Sequence, residues 1–323
     1  MNQAEVRFDG RAIVVTGAGR GLGQAEAMLL ASRGAKVVVA DNGSAMAGDR
    51  ASQGPAETVA EEIVAAGGEA VACTADLSTG EGAAEAVESC VAAFGRIDGI
   101  AHFASTCPEL MPPDALPDRD VELVLRVNCF AAIWMARAAW PHMEKQGYGR
   151  LLFTPSAAVF GALGNTPYAT AKASYLGLVP TLALEGARHG ICVNGVMPSA
   201  RTRMTEGFPP GAYADWFFRT MTPEKVAAAA AFLLSEDCEV SGEIFSLGGG
   251  RVARVALAEA EGVIGEGASI EQVRAAMPQV MADTSFFFPK DLSERSAKVS
   301  SLFGFDGGLD ASDSYAVRPH ADD

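Results

Sequence analysis

Apolar residues in this chain fall in short unbroken blocks rather than in alternation with polar ones. The blocks are 11–16 (RAIVVT), 35–40 (AKVVVA), 69–74 (EAVACT), 98–102 (DGIAH), 149–154 (GRLLFT), 190–196 (GICVNGV) and 242–247 (GEIFSL). Unbroken apolar runs of this length fit parallel strands buried on both faces. Between them, 22–33, 56–66, 81–94, 118–146 and 167–188 are long enough for crossover helices. This strand–helix alternation predicts an α/β fold over about residues 8–250: a doubly wound, seven-stranded parallel sheet with helices on both faces.

Two segments break the rhythm. Residues 42–56 (NGSAMAGDRASQGPA) form a Gly, Ala and Ser-rich insertion after the second strand. Residues 251–323 follow the last strand. Within them 269–281 reads as a helix, with Ser269 as N-cap and Pro278 as a late interruption. The predicted organisation is a domain over 1–250, an extension over 251–303 packed on it, and a mobile acidic tail over 304–323.

Composition narrows the function. Hydrophobic residues make up 49% of the 323 and charged residues 20%, a globular profile. The net charge of −15 excludes general nucleic-acid binding, because nothing neutralises phosphates. No apolar run approaches the ~18 residues needed to span a bilayer, and neither terminus carries a secretory, peroxisomal or prenylation signal. A cytoplasmic protein is therefore expected, with no membrane partner. The six cysteines are scattered without CxxC spacing, and the histidines show no HxxxH spacing. Neither disulfides nor a metal site is expected, and Cys107 and Cys238 read as bystanders.

The first strand runs into Thr16-Gly17-Ala18-Gly19-Arg20-Gly21-Leu22-Gly23, followed by a helix. Glycines there let the backbone turn sharply and bring its N–H groups to a phosphate, while the helix N-terminus adds favourable charge. Asp41 closes the second strand. Its carboxylate can accept both ribose hydroxyls of adenosine and repel a 2′-phosphate, which favours NAD over NADP. Asp41-Asn42-Gly43 is also a good turn sequence. Arg20 can meet a 2′-phosphate, so NADP stays open. Asp76, after the third strand, can reach an adenine amino group or be an ordinary loop residue.

Ser156, Tyr168 and Lys172 form the most informative cluster. Thr166-Pro167 resembles an N-cap followed by proline, opening a helix. Tyr168 and Lys172 are then i and i+4 on one face, and Ser156 follows the fifth strand, at the ligand-binding edge of such sheets. Tyrosine is a poor base at its ordinary pKa of about 10. An ammonium ~4 Å away favours phenolate by up to ~4 kcal/mol at an effective dielectric of ~20. That is roughly three pKa units, enough for proton exchange near neutral pH. An amphipathic helix that happens to hold Tyr and Lys has the same spacing.

The glycine turn, Asp41, Asn128, Ser156 and Tyr168-Ala169-Thr170-Ala171-Lys172, in this order, resemble the short-chain dehydrogenase/reductase family. The resemblance implies an NAD(P)-dependent oxidoreductase with the tetrad Asn128, Ser156, Tyr168 and Lys172. Tyr168 would transfer the proton and Ser156 would bind the substrate oxygen. Lys172 would lower the Tyr168 pKa and hold the nicotinamide ribose, and Asn128 would anchor a water in a proton relay. The implied cofactor contacts are Gly17, Gly19, Arg20, Gly21, Leu22, Gly23, Asp41, Asp76, Leu77, Ala104, Tyr168 and Lys172. Stretches such as 94–98 (FGRID), 136–154, 197–204 (MPSARTRM) and 245–255 are similar to the dehydrogenase part of peroxisomal multifunctional enzymes of type 2. That part oxidises (3R)-hydroxyacyl-CoA esters, and relatives act on 17β-hydroxysteroids. A stand-alone dehydrogenase is the expectation here.

Three departures from the family stand out. His102-Phe103-Ala104-Ser105 replaces the usual Asn-Asn-Ala-Gly, and His102 reads as a structural substitute or as a proton-active group. Ser156 lies one residue closer to Tyr168 than is common. Ser199 replaces a Gly after Pro198. Pro180 should also kink the helix carrying Tyr168. A bulky apolar substrate, a (3R)-3-hydroxyacyl-CoA or a 17β-hydroxysteroid, is expected against a wall over 202–216, with Met204, Phe208, Tyr213, Trp216, Phe217 and Phe218. Gly and Pro residues in this stretch suit a movable lid; equally, it can be a loop and helix packed on the core. Arg201, Arg203, Arg219 and Arg251 are the candidate partners for CoA phosphates. A smaller terpenoid or aromatic alcohol is an alternative substrate, and a non-catalytic cofactor-binding scaffold is the alternative of another class. The resemblance further implies a homodimer or homotetramer, paired through the helices holding Asn128 and Tyr168.

Overall fold

The computed structural model describes residues 5–44, 54–265 and 269–308. Most of the 42–56 insertion, and the acidic tail from 309 onward, lie outside the described residues. The chain divides into two compact units, Met1–Val255 and Ala256–Asp323.

In the first unit the seven apolar blocks become parallel strands: β1 (Ala12–Thr16), β2 (Lys36–Ala40), β3 (Glu69–Cys73), β4 (Gly99–His102), β5 (Gly149–Phe153), β6 (Ile191–Pro198) and β7 (Ile244–Gly248). An eighth strand, β8 (Arg251–Val255), pairs antiparallel with β7 at the edge, giving the order β3-β2-β1-β4-β5-β6-β7-β8. Its turn is Gly249-Gly250, with φ of 61° and 90°. Positive φ at both central residues is what a two-residue hairpin turn needs. Residues 251–255, expected in the extension, therefore belong to the first unit.

The blocks are unbroken because both faces are covered. Ala12 and Val14 of β1 face one core, with Val87, Met135 and Val179. Ile13 and Val15 face the other, with Leu30, Ile63 and Leu234. One face is covered by α3 (Gly80–Phe94), α5 (Ala131–Gln146) and α7 (Tyr175–Gly186). The opposite face is covered by α1 (Gly21–Ser32), α2 (Pro55–Ala65) and α9 (Pro223–Leu234).

The remaining helices of this unit are α4 (Asp118–Leu125), α6 (Thr166–Ala173) and α8 (Ala212–Thr220). The predicted helix 118–146 is continuous but holds one π turn at Arg126–Phe130, which carries Asn128. It is long and apolar enough to cross a bilayer by length and composition, and its buried face packs in the core. The predicted helix 167–188 is divided at Ser174. Asn165 occupies the cap position of α6, so Thr166 and Pro167 lie in its first turn. Pro180 lies inside α7 without ending it.

In the second unit, Ser269 caps α10 (Ile270–Ala282) as expected, accepting from the Gln272 N–H, while the Gln272 side chain accepts from the Ser269 N–H. Pro278 is contained within α10. Asp291 caps α11 (Leu292–Leu302). A two-stranded ribbon joins β9 (Glu259–Ala260) to β10 (Phe286–Phe287). Arg295 pairs with Glu259 through two bonds of 2.8 Å.

Candidate active site

At the end of β1 the chain turns through the glycine run at the point where the strand order reverses, between β1 and β4. Gly17 has φ 64°, and a Cβ there would lie 2.8 Å from the Ala104 backbone nitrogen. A Cβ on Gly23 would lie 2.3 Å from the Gly17 carbonyl oxygen. Side chains are excluded from this cradle. Arg20 occupies the N-cap of α1 in extended conformation and makes no side-chain cap bond. The first N–H groups of α1 thus remain available to an anion.

Asp41 follows β2 and faces the same turn. Its Oδ2 accepts from the Gly19 N–H at 2.9 Å, and its Oδ1 from the Gly43 N–H at 2.8 Å. It therefore builds its own turn and also lines the cavity beside the glycine run. Asp76 accepts from the Ser78 N–H at 3.0 Å, and Asp76 and Leu77 line the same cavity.

Tyr168 and Lys172 share the buried face of α6. The Lys172 Nζ donates to the Thr154 carbonyl at 2.8 Å and lies 5.7 Å from the Tyr168 ring centroid. Burial pushes Lys172 down to about 7, and the Cys107 and Cys129 thiols pull upward. Burial also raises the Tyr168 phenol, against the Ser156 and Ser105 hydroxyls, which lower it. The lysine-driven lowering expected from the i, i+4 spacing is not what dominates here. The ammonium is directed at a backbone carbonyl, and burial weakens its hold on its own proton.

Ser156 lies at the N-cap of a short 3₁₀ turn and accepts from the Ala158 N–H at 3.2 Å. Asn128 is fully buried. Its Oδ1 accepts from the Thr106 N–H at 2.9 Å and its Nδ2 donates to the Thr106 carbonyl at 2.7 Å. This side chain clamps the loop after β4. The π turn that carries it is a break in helix geometry of the kind found at functional sites.

Gly17, Asp41, Asp76, Ser156, Tyr168 and Lys172 border one cavity of about 640 Å³. Met204, Phe208, Tyr213 and Phe217 line it, and Phe208 stacks or tilts against Tyr213, Phe217 and Phe218 at centroid distances of 5.1 to 6.2 Å. Trp216 and Phe218 belong to the aromatic cluster but do not line the cavity. Of the candidate arginines, Arg203 lines it, as does Arg20. Arg201 instead stacks on Phe218 at 5.1 Å, and Arg251 bonds Ser246 on the edge hairpin.

Residues 11–210 match the short chain dehydrogenase family. The chain belongs to that family. It is 38% identical over 264 residues to the peroxisomal multifunctional enzyme type 2 of Drosophila melanogaster, covering 81% of this chain and 43% of that protein. The solved full-length structure of that enzyme gives a TM-score of 0.77 at 30% identity, over 93% of this chain and 50% of that one. The chain thus spans about half the length of this relative. A putative short-chain type dehydrogenase/reductase of Mycobacterium tuberculosis is 39% identical over 248 residues, covering 76% of this chain and 85% of that protein. A 7α-hydroxysteroid dehydrogenase, solved with NADH and 7-oxo glycochenodeoxycholic acid, gives a TM-score of 0.64 at 28% identity, over 76% of this chain and 95% of that one.

As a short-chain dehydrogenase the chain is an oxidoreductase of a family that binds NAD(P) and acts on small molecules. Eleven of the expected cofactor positions line its cavity with Ser156: Gly17, Arg20, Gly21, Leu22, Gly23, Asp41, Asp76, Leu77, Ala104, Tyr168 and Lys172. Gly19 and Asn128 do not line it; both act behind the wall, through Asp41 and Thr106. One contributor escaped the sequence reading: Thr154 meets Lys172 through its backbone carbonyl, which leaves no mark in a sequence. Ser105, a hydroxyl where the family usually has glycine, acts on the Tyr168 phenol. Cys107, read as a bystander, packs beside Tyr168 and meets the Asn165 side chain at 3.6 Å.

Proposed function

We propose that this dehydrogenase interconverts a secondary alcohol and a ketone on a bulky apolar substrate, using NAD, with a (3R)-3-hydroxyacyl-CoA as the substrate class. The observation that carries this reading is the placement of Ser156, Tyr168 and Lys172 in one cavity with an aromatic wall and two arginines. Arg20 and Arg203 provide local positive charge in a chain of net charge −15, which answers the difficulty of binding an anionic CoA ester. The type 2 multifunctional relatives support the same substrate class. A 17β-hydroxysteroid is the second reading, favoured by the flat aromatic surfaces of Phe208, Tyr213 and Phe217.

The residues fit a dinucleotide. The cradle closed to side chains at Gly17 and Gly23 leaves room for a pyrophosphate at the N-terminus of α1. Asp41 supports NAD, since its carboxylate would repel a 2′-phosphate. When bound, the nicotinamide ring supplies or accepts the hydride. The chain's own residues handle the proton. The Ser156 hydroxyl holds the substrate oxygen, and the Tyr168 phenol exchanges a proton with it. The Ser156 and Ser105 hydroxyls favour the phenolate against burial, Lys172 stands 5.7 Å from the ring, and Asn128 holds the loop that borders the reacting groups.

Pairing of two or four copies through α4, α5 and α6 is part of this proposal. Exposed Phe130 and Ile133 on the α5 side support it. The deciding experiment measures kcat/KM for a racemic 3-hydroxyacyl-CoA and for estradiol, each with NAD and NADP. Preference for the thioester with NAD is expected. Turnover of neither substrate with either cofactor would overturn the reading.

A further inference from the structure

His102, at the end of β4, replaces the asparagine usual in the family, and its environment is unlike that of a filler residue. The side chain is buried, and its Nδ1 lies 2.8 Å from the Thr16 hydroxyl at the end of β1. That hydroxyl also accepts the Ala104 N–H at 3.1 Å. Thr16 therefore has a proton of its own to place, and the His102 Nδ1 is the acceptor within reach. Hydrogen-bond accounting then puts the ring proton on Nε2. Nε2 is buried and makes no hydrogen bond of ordinary geometry. Burial and the nearby Lys172 charge push the imidazole down to about 3, against the Val127 backbone carbonyl, which raises it. The ring is neutral at working pH, so it is not a proton-active group.

The same residue reaches the other half of the site through its backbone. The Thr154 hydroxyl donates to the His102 carbonyl at 2.7 Å, and the Thr154 carbonyl receives the Lys172 ammonium at 2.8 Å. A buried series of contacts thus runs from Lys172 through Thr154, His102 and Thr16 to Ala104. It ends where Gly17 packs closest, since a Cβ on Gly17 would lie 2.8 Å from the Ala104 nitrogen.

We infer that the His102 imidazole is a positioning residue for the cofactor floor: by accepting the Thr16 proton it aims the Thr16 oxygen at the Ala104 N–H and holds Ala104 against the glycine turn. Replacing the ring by an aliphatic side chain strands the Thr16 proton in a buried site. The hydroxyl then reorients, and the Ala104 segment loses its tether. The inference rests on the reading of the cavity as a dinucleotide site.

The test is equilibrium binding of NADH, followed by its fluorescence, to the folded protein and to His102→Leu, His102→Asn, Thr16→Val and the double variant His102→Leu/Thr16→Val. His102→Leu should weaken NADH binding about tenfold or more, the scale of one buried hydrogen bond left unmade. His102→Asn, which keeps an acceptor, should recover most of that loss. In the Thr16→Val background the leucine change should cost little more, because the two side chains act through one contact. A loss of melting temperature with unchanged NADH affinity in the His102 variants would overturn the inference, as would full additivity of the two changes. If the unsubstituted protein binds neither NADH nor NADPH, the dinucleotide reading itself fails, which is a different outcome. Should His102→Leu not fold, Thr16→Val and His102→Asn still give the comparison.

Discussion

At the N-terminal edge of the sheet, Asp98 is buried just ahead of β4, and each carboxylate oxygen is answered. It accepts from the Ala12 N–H at 2.9 Å, from Arg11 at 3.0 Å and from Arg96 at 2.6 Å. Beside it the Tyr148 ring lies between the Arg11 and Arg150 guanidinium groups, at 3.8 and 4.4 Å. At the C-terminal edge of the same strands, Lys172 is just as buried, and among the described residues it meets a carbonyl and no carboxylate. One edge neutralises its buried charge and the other leaves it strained. A paired charge is electrically inert, whereas an unpaired one sits close to losing its proton, which is what proton transfer requires.

Substitutions can break this contrast. The largest effect is expected from Tyr168→Phe, which should cut turnover by roughly 10²–10⁴-fold or more while NADH still binds; near-normal kcat would remove Tyr168 from the mechanism. At the opposite edge, Asp98→Ala should cost about 3 kcal/mol of stability, because it leaves the Ala12 N–H unanswered and takes the buried carboxylate away from Arg11 and Arg96. Urea unfolding reads that loss, and kcat per folded molecule should not change.

Lys172 predicts a pH effect of opposite character. Its folded pKa, about 7, lies below its ordinary value of 10.5. Between these values the unfolded chain binds more protons, so stability should rise with pH across that window. The slope is at most about 1.4 kcal/mol per pH unit. Urea titrations at pH 7 to 9 should show this slope in the parent protein and lose it in Lys172→Met.

The smallest effect tests whether unanswered charge always marks the site. Glu26 of α1 is fully buried, neither carboxylate oxygen has a partner, and burial raises its pKa well above the ordinary value. A carboxyl raised in the folded state loses its stabilising contribution as pH rises, so it is a liability at pH 8. Glu26→Met should gain about 1–2 kcal/mol there with kcat unchanged. A fall in kcat would instead tie Glu26 to the cofactor site.

Local features were legible before the structure. The glycine turn, the strand blocks and the Tyr168–Lys172 spacing each depend on neighbours within a few residues, and each forms where expected. What was not legible is non-local or subtle in geometry. The π turn at Asn128 needs one extra residue in a helical turn, which has no compositional mark. The break at Ser174 involves no glycine or proline, while Pro180, which does look like a breaker, lies inside α7. The His102–Thr16 contact joins residues 86 positions apart.

The order of elements, the unbroken apolar strands and the identity of the reactive side chains were therefore determined by the sequence alone, because local backbone preference and burial on both faces act at short range. The tertiary structure alone decided which groups carry strained protons. Desolvation and hydrogen-bond partners come from elements far apart in the chain, and they turned a lysine expected to assist its tyrosine into one held by the Thr154 carbonyl near its own titration point.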